Sequence, residues 1–179
     1  MRILLATAVA IAPLMAATGS MAEVVISTVR TTPITTSNAS GTGTADDIRL
    51  AEGGGITLSS GTAVTVDSNH DFSTGGASSI TMALAANGAT AVLVNAGVTS
   101  DISIGSTISI TDTIESYPDT DNDGDIDGPW ATGSDRYGIR YAAGAPVTGN
   151  LLVGALGSIG VEGNNSYAIS IESGLIGNI

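Results

Sequence analysis

The chain has 179 residues with no cysteine and no lysine, and its five arginines stand against 17 acidic residues for a formal charge of −12. That balance excludes nucleic acid and anionic membrane surfaces as natural partners, because phosphates must be neutralised by Lys or Arg, and no disulfide can staple the fold. Aromatics make up only 3%, too few for a globular core built on large rings, while a mean hydropathy of +0.33 sets the chain apart from charged disordered sequences.

Residues 1–22 have the layout of an export signal. Met1-Arg2 is the positive end, Ile3 to Ala17 is almost wholly apolar, and Ser20-Met21-Ala22 offers small residues at −3 and −1 for cleavage after Ala22. The apolar run is shorter than the roughly 20 residues a membrane span needs. The expectation is therefore a helical signal peptide whose loss, with Arg2, leaves four arginines against 17 acids, a charge of −13. An exported chain without disulfides needs another way to bury apolar surface, and stacking of repeats is one.

Residues 23–51 come next, a Thr/Ser-rich lead-in or cap whose Arg30–Ala51 stretch alternates only at Ile48-Arg49-Leu50. From 52 to 179 the chain is full of apolar-polar-apolar triplets. Ile56-Thr57-Leu58, Val64-Thr65-Val66, Ile80-Thr81-Met82, Ile102-Ser103-Ile104, Ile108-Ser109-Ile110, Ile159-Gly160-Val161 and Ile169-Ser170-Ile171 follow one another, separated by Gly, Asn, Ser and Asp. Period-two alternation puts the apolar members on one face of a strand, and the spacers are turn formers. No apolar stripe of helical period exists after residue 22.

The triplets sit in a repeated block. Ala91-Val92-Leu93-Val94-Asn95-Ala96-Gly97 resembles Gly138-Ile139-Arg140-Tyr141-Ala142-Ala143-Gly144 and Ala168-Ile169-Ser170-Ile171-Glu172-Ser173-Gly174, with starts 47 and 30 residues apart. A second match sets Ile104-Gly105-Ser106-Thr107-Ile108-Ser109-Ile110 beside Leu156-Gly157-Ser158-Ile159-Gly160-Val161. Inward aliphatics that one coil cannot bury alone are buried by stacking coils. The predicted architecture is all-β, a parallel β-helix or β-solenoid over 52–179 with an acidic loop inserted at 117–135. A β-sandwich of short strands is the alternative.

With its signal peptide, Thr/Ser-rich lead-in and Asn87-Gly88-Ala89 turn running into the Ala91–Gly97 block, the sequence resembles the N-terminal passenger region of an autotransporter-like surface protein of a Gram-negative bacterium. The resemblance is a style of repeat over most of 23–179. It implies a right-handed parallel β-helix, export across the inner membrane, and carriage over the outer membrane by a C-terminal barrel. No alternating barrel strands with aromatic girdles occur before Ile179. The chain thus reads as a fragment of a longer protein or a passenger standing alone, at the cell surface, on the outer membrane through a barrel it lacks, or secreted. Its expected role is structural or adhesive, an adhesin-like surface meeting host, matrix or neighbouring-cell molecules. The alternatives are a parallel β-helix enzyme acting on polysaccharide and a fibre-forming protein that self-associates through open solenoid ends.

One local motif suggests chemistry. Asp119, Asp121 and Asp123 occupy positions 1, 3 and 5 of a calcium loop, Gly124 the turn, and Asp125 and Asp127 positions 7 and 9. Position 12 is Trp130 in place of the bidentate Glu of an EF-hand, so the run is closer to DxDxDGxxD loops of other calcium sites. The expectation is a calcium-ordered loop; its rival is a solvated acidic loop. No catalytic motif is present. His70, the only histidine, lies beside Asp71 and near Ser68, but adjacency does not make a triad. Asp46, Asp47, Glu162 and Glu172 are carboxylates that could meet only if different coils brought them together. Trp130, Tyr137 and Tyr141 cluster after the acidic run; Tyr141 is expected to face the core.

Overall fold

The structure is a computed structural model that describes residues 23–112, 119–125, 127–128 and 131–179. The signal peptide expected at 1–22 lies outside the described residues, as does Trp130. Among the described residues no helix is long and apolar enough to cross a membrane.

The chain winds through five rungs of three strands each. The first rung carries β1 (Val24–Ile26), β2 (Val29–Arg30) and β3 (Ile34–Thr35). The second carries β4 (Ile48–Leu50), β5 (Gly55–Thr57) and β6 (Thr62–Val66), the third β7 (Phe72–Thr74), β8 (Ser79–Met82) and β9 (Thr90–Val94). The fourth holds β10 (Ile102–Ile104), β11 (Thr107–Ile110) and β12 (Tyr137–Tyr141), and the short β13 (Val147–Thr148) follows it. The fifth holds β14 (Leu151–Val153), β15 (Ser158–Val161) and β16 (Tyr167–Ile171), followed by β17 (Leu175–Ile176). Corresponding strands pair in parallel into three five-stranded sheets, β1-β4-β7-β10-β14, β2-β5-β8-β11-β15 and β3-β6-β9-β12-β16. This is a parallel β-solenoid of about five turns. A sandwich would pair its strands antiparallel, and among the described residues every strand pairing is parallel.

The period-two pattern explains which residues face in. Ile48, Phe72, Ile102 and Leu151 are in register along the first sheet, Ile56, Ile80, Ile108 and Ile159 along the second, and Val64, Val92, Ile139 and Ile169 along the third. Each β-branched side chain packs on its equivalents one rung above and below. Full burial of each such aliphatic contributes about 1.5–3 kcal/mol, available only once the neighbouring rung is in place. Outward positions carry Thr57, Thr81 and Ser109 on the second sheet, where their side chains are exposed or partly exposed.

The repeated block maps onto this register: Val92, Ile139 and Ile169 pair across β9, β12 and β16. Ala91 and Gly138 at the inner corner are buried, and a Cβ on Gly138 would stand 2.4 Å from Ile159 Cγ2, so the corner admits only small residues. The second match holds only in part. Ile108 pairs with Ile159, but Ile104 pairs with Val153, not Leu156. Four residues separate β14 from β15 where two separate β10 from β11, and Leu156 bulges out with 80% of its surface exposed.

The lead-in segment is partly solenoid, since β1 to β4 lie inside 23–51. Its 3₁₀ turn at Thr36–Asn38 follows β3 and lies against β6 of the second rung, with Thr36 and Ala39 buried. Asp67, just after β6, pins this turn: its carboxylate accepts the Ser37 N–H at 2.8 Å and the Ser37 hydroxyl at 2.7 Å. Arg30 Nε donates to the Thr32 carbonyl at 2.9 Å and Nη2 to the Pro33 carbonyl at 3.0 Å.

Candidate functional site: the acidic loop and its base

The turn between the second and third sheets varies from rung to rung. It spans residues 83–89 in the third rung and 162–166 in the fifth, but 111–136 in the fourth. A loop this long must be held at its base, and two side chains do so. Asp112 leaves the fourth rung fully engaged: its carboxylate accepts the Thr132 hydroxyl at 2.8 Å, the Thr132 N–H at 3.0 Å and the Gly133 N–H at 3.0 Å. Arg136 Nη1 stands 3.1 Å from Asp112 Oδ2, and both side chains are almost wholly buried. The rest of the guanidinium donates to the Ala85, Ala86 and Glu162 carbonyls, in the rungs on either side. A buried cation is tolerable only when paired and hydrogen-bonded throughout, and this one is. Sequence reasoning passed over both residues, because nothing in the chain order joins positions 112 and 136.

Within the loop, three of the five aspartates read as calcium ligands converge. Carboxylate oxygens of Asp119, Asp121 and Asp127 lie within 4.8 Å of one another, all exposed. Asp123 and Asp125 are not in this group; Asp123 Oδ1 accepts the Asp125 N–H at 3.1 Å. Gly124, with φ of +97°, lets the chain turn back so that its N–H reaches Asp119 Oδ2 at 3.1 Å. Asp127 Oδ2 accepts both the hydroxyl and the N–H of Thr120. The Thr120 hydroxyl, then its N–H, holds the Asp127 carboxyl below the usual carboxylate range. The three carboxylates are thus exposed and brought together, the arrangement of oxygens that a hard divalent cation requires.

The other candidates are dispersed. Asp47, Asp71, Asp101 and Asn150 each immediately precede the first inward residue of a first-sheet strand, and with Asn178 they form a ladder. Asp47 Oδ1 accepts the Asp71 N–H at 2.9 Å, Asp71 Oδ1 the Asp101 N–H at 2.8 Å, Asp101 Oδ1 the Asn150 N–H at 2.6 Å, and Asn150 Oδ1 the Asn178 N–H at 3.1 Å. The recurring Asx-apolar pair (Asp47-Ile48, Asp71-Phe72, Asp101-Ile102, Asn150-Leu151) was the signal for it in the sequence. His70 Nδ1 lies 3.0 Å from Asp47 Oδ1, while the Ser68 hydroxyl donates to Thr36 Oγ1 at 2.8 Å, so Ser68, His70 and Asp71 form no relay. Asp46 Oδ1 accepts the Asp47 N–H at 2.9 Å. Glu162 Oε2 accepts the Asp112 N–H at 2.7 Å, and Glu172 binds Arg140 through two bonds of 2.7 and 2.9 Å. Asp46 and Asp47 lie just before β4 of the first sheet, Glu162 just after β15 of the second and Glu172 just after β16 of the third.

Tyr141 faces inward and is fully buried, stacked in register between Val94 and Ile171. Burial, then the nearby Asp101 charge, pushes its hydroxyl up to about 12 from 10.0. Tyr137 faces out, with its ring stacked on that of Tyr167 at 5.9 Å and Arg140 at 4.5 Å over its centroid.

The fold defines a class, the parallel β-solenoids, with one elaborated turn. The chain matches no protein-family model, no curated protein and no solved structure.

Proposed function

We propose that this chain is an exported structural or adhesive module, displayed at the cell surface or secreted, of the kind found in autotransporter passengers. The observation that carries the reading is the division of labour between scaffold and loop. Asp46, Asp47, Asp71, Asp101, Glu162 and Glu172 are spent on backbone hydrogen bonds or on Arg140. A polysaccharide-cleaving enzyme needs a free pair of carboxylates across a groove. What varies from rung to rung is the turn, as expected of a rod that presents loops to host, matrix or neighbouring-cell molecules. Protease treatment of intact cells producing the full chain tests this. Degradation of the chain while cytoplasmic proteins survive is expected, with the new N-terminus at Glu23. Full protection together with an intact residue 1 overturns the reading.

The same module carries a calcium-ordered loop in this reading, supported by the convergence of Asp119, Asp121 and Asp127. Calorimetric titration of the purified chain with calcium is expected to give a saturable heat. No heat at millimolar calcium sinks this part of the reading and leaves the first part standing.

A further inference from the structure

Three of the described arginines are paired and one is not. Arg49, Arg136 and Arg140 each lie against a carboxylate, that of Glu23 at 2.7 Å, Asp112 at 3.1 Å and Glu172 at 2.7 Å. Arg30 has no carboxylate partner among the described residues, although the chain carries 17 acids. One edge of its guanidinium is held by the chain itself. Nε donates to the Thr32 carbonyl at 2.9 Å, and Nη2 donates to the Pro33 carbonyl at 3.0 Å and the Thr32 hydroxyl at 3.1 Å. Nη1 makes no hydrogen bond to a described residue.

The guanidinium so fixed lines a cavity of about 360 Å³, whose walls include Pro33, Ile34, Thr35, Asn38 and Ser40. That volume is within the usual range of small-molecule sites. A second donor lies in the same walls. Asn38 Oδ1 accepts the Gly43 N–H at 2.6 Å, which fixes the amide and leaves Nδ2 without a partner among the described residues. Asp67, the carboxylate bonded to this turn, is taken up by Thr36 and Ser37.

We propose that this cavity binds the carboxylate of an acidic sugar, a hexuronate unit, with Arg30 as the ion partner. Three observations select that ligand. The unpartnered groups, Arg30 Nη1 and Asn38 Nδ2, can only donate, so they call for oxygen acceptors, and a carboxylate is the acceptor a guanidinium binds best. The chain's charge of −12 repels anions in proportion to their own charge, which favours a monoanion. The remaining walls mix hydroxyls (Thr35, Ser40) with aliphatic surface (Pro33, Ile34), which suits a ring with hydroxyls on its rim and C–H groups on its face. A peptide would bring N–H donors of its own, and the Thr32 and Pro33 carbonyls here already accept from Arg30. The acidic loop takes no part in the site.

Amide NMR of the full chain titrated with sodium glucuronate is expected to move the signals of residues 30–41 saturably. Glucose at the same concentrations is expected to move none of them, and sodium acetate to bind roughly tenfold more weakly. Added sodium chloride is expected to weaken glucuronate binding. Glucose or acetate matching glucuronate, a glutamyl dipeptide exceeding it, indifference to salt, or shifts confined to other residues overturns the proposal. Arg30→Gln is expected to weaken glucuronate binding about tenfold or more, with thermal unfolding showing that the fold is kept. Should Arg30→Gln fail to fold, Thr35→Val decides: it keeps the shape and loses a hydroxyl, and is expected to weaken glucuronate binding while leaving acetate binding unchanged. Unaltered glucuronate binding in the variant that folds overturns the proposal. Protection of the chain from protease on intact cells would leave all of these results untouched.

Discussion

Arg136 and Asp112 meet at 3.1 Å across the mouth of the acidic loop, each almost completely buried. One residue stands at the end of the strand that leaves the scaffold and the other at the start of the strand that returns. The pair converts a long excursion into a closed turn. Removing one partner strands the other charge in the core, so Arg136→Met and Asp112→Ala are each expected to lower unfolding free energy by about 3–5 kcal/mol in urea. The double variant is expected to cost clearly less than the sum of the two. Additive losses would mean that the two side chains act separately.

The Asx ladder is a row of acceptors, so charge is dispensable there and the oxygen is not. Asn already fills the same position at Asn150, whose Oδ1 accepts the Asn178 N–H. Asp71→Asn is therefore expected to change stability by less than about 0.5 kcal/mol, while Asp71→Ala, which leaves the Asp101 N–H without its acceptor, costs about 1–2 kcal/mol. Thermal unfolding of the two variants side by side checks this; equal losses would put the stabilisation in the charge.

Tyr141 offers a pH handle. Its hydroxyl is buried with no hydrogen-bond partner among the described residues. Its folded pKa is raised to about 12, above the ordinary 10.0. A raised pKa means the stabilisation of the neutral form is complete below pH 10 and is lost as pH climbs through the folded value. Stability is thus expected to fall between about pH 10 and 12, and Tyr141→Phe to remove that part of the decline. At neutral pH the Phe variant is expected to be as stable as the parent or about 1 kcal/mol more stable, because an unsatisfied hydroxyl leaves the core.

The loop aspartates divide into two sets by geometry. Asp119→Asn and Asp127→Asn are each expected to weaken calcium binding at least tenfold in calorimetry, about 1.4 kcal/mol. Asp123→Asn and Asp125→Asn are expected to change it less, since these two lie outside the converging group. A uniform response of all four would indicate a diffuse counter-ion cloud.

Two glycines separate close approach from mere turn preference. A Cβ on Gly54 would lie 2.0 Å from the Ile26 carbonyl oxygen of the rung beneath, whereas one on Gly75 would meet nothing within 4 Å. Gly54→Ala is expected to cost about 1–3 kcal/mol, as overpacking does, and Gly75→Ala to be neutral or stabilising by about 0.4–1 kcal/mol. Urea midpoints of the two variants check this.

Much of the scaffold was legible in the chain. Alternation named the inward residues, because a strand has a period of two and one face must leave water. The Ala91, Gly138 and Ala168 blocks gave away the third sheet, since stacked rungs impose the same size limits at the same place. Where those local rules stop, only the tertiary structure decides. Ile104 and Leu156 look alike in sequence, yet the register pairs Ile104 with Val153 because a turn two residues longer pushes Leu156 into solvent. Asp47 looks like one of a pair of free acids, but winding the chain brings the Asp71 N–H, 24 residues on, to its carboxylate. Five aspartates at calcium spacing look equivalent until the turn at Gly124 selects three. The sequence by itself determined the strands, their faces and the need to stack. The winding of the rungs decided which distant polar groups meet, because those contacts depend on the lengths of the intervening turns and on no local pattern.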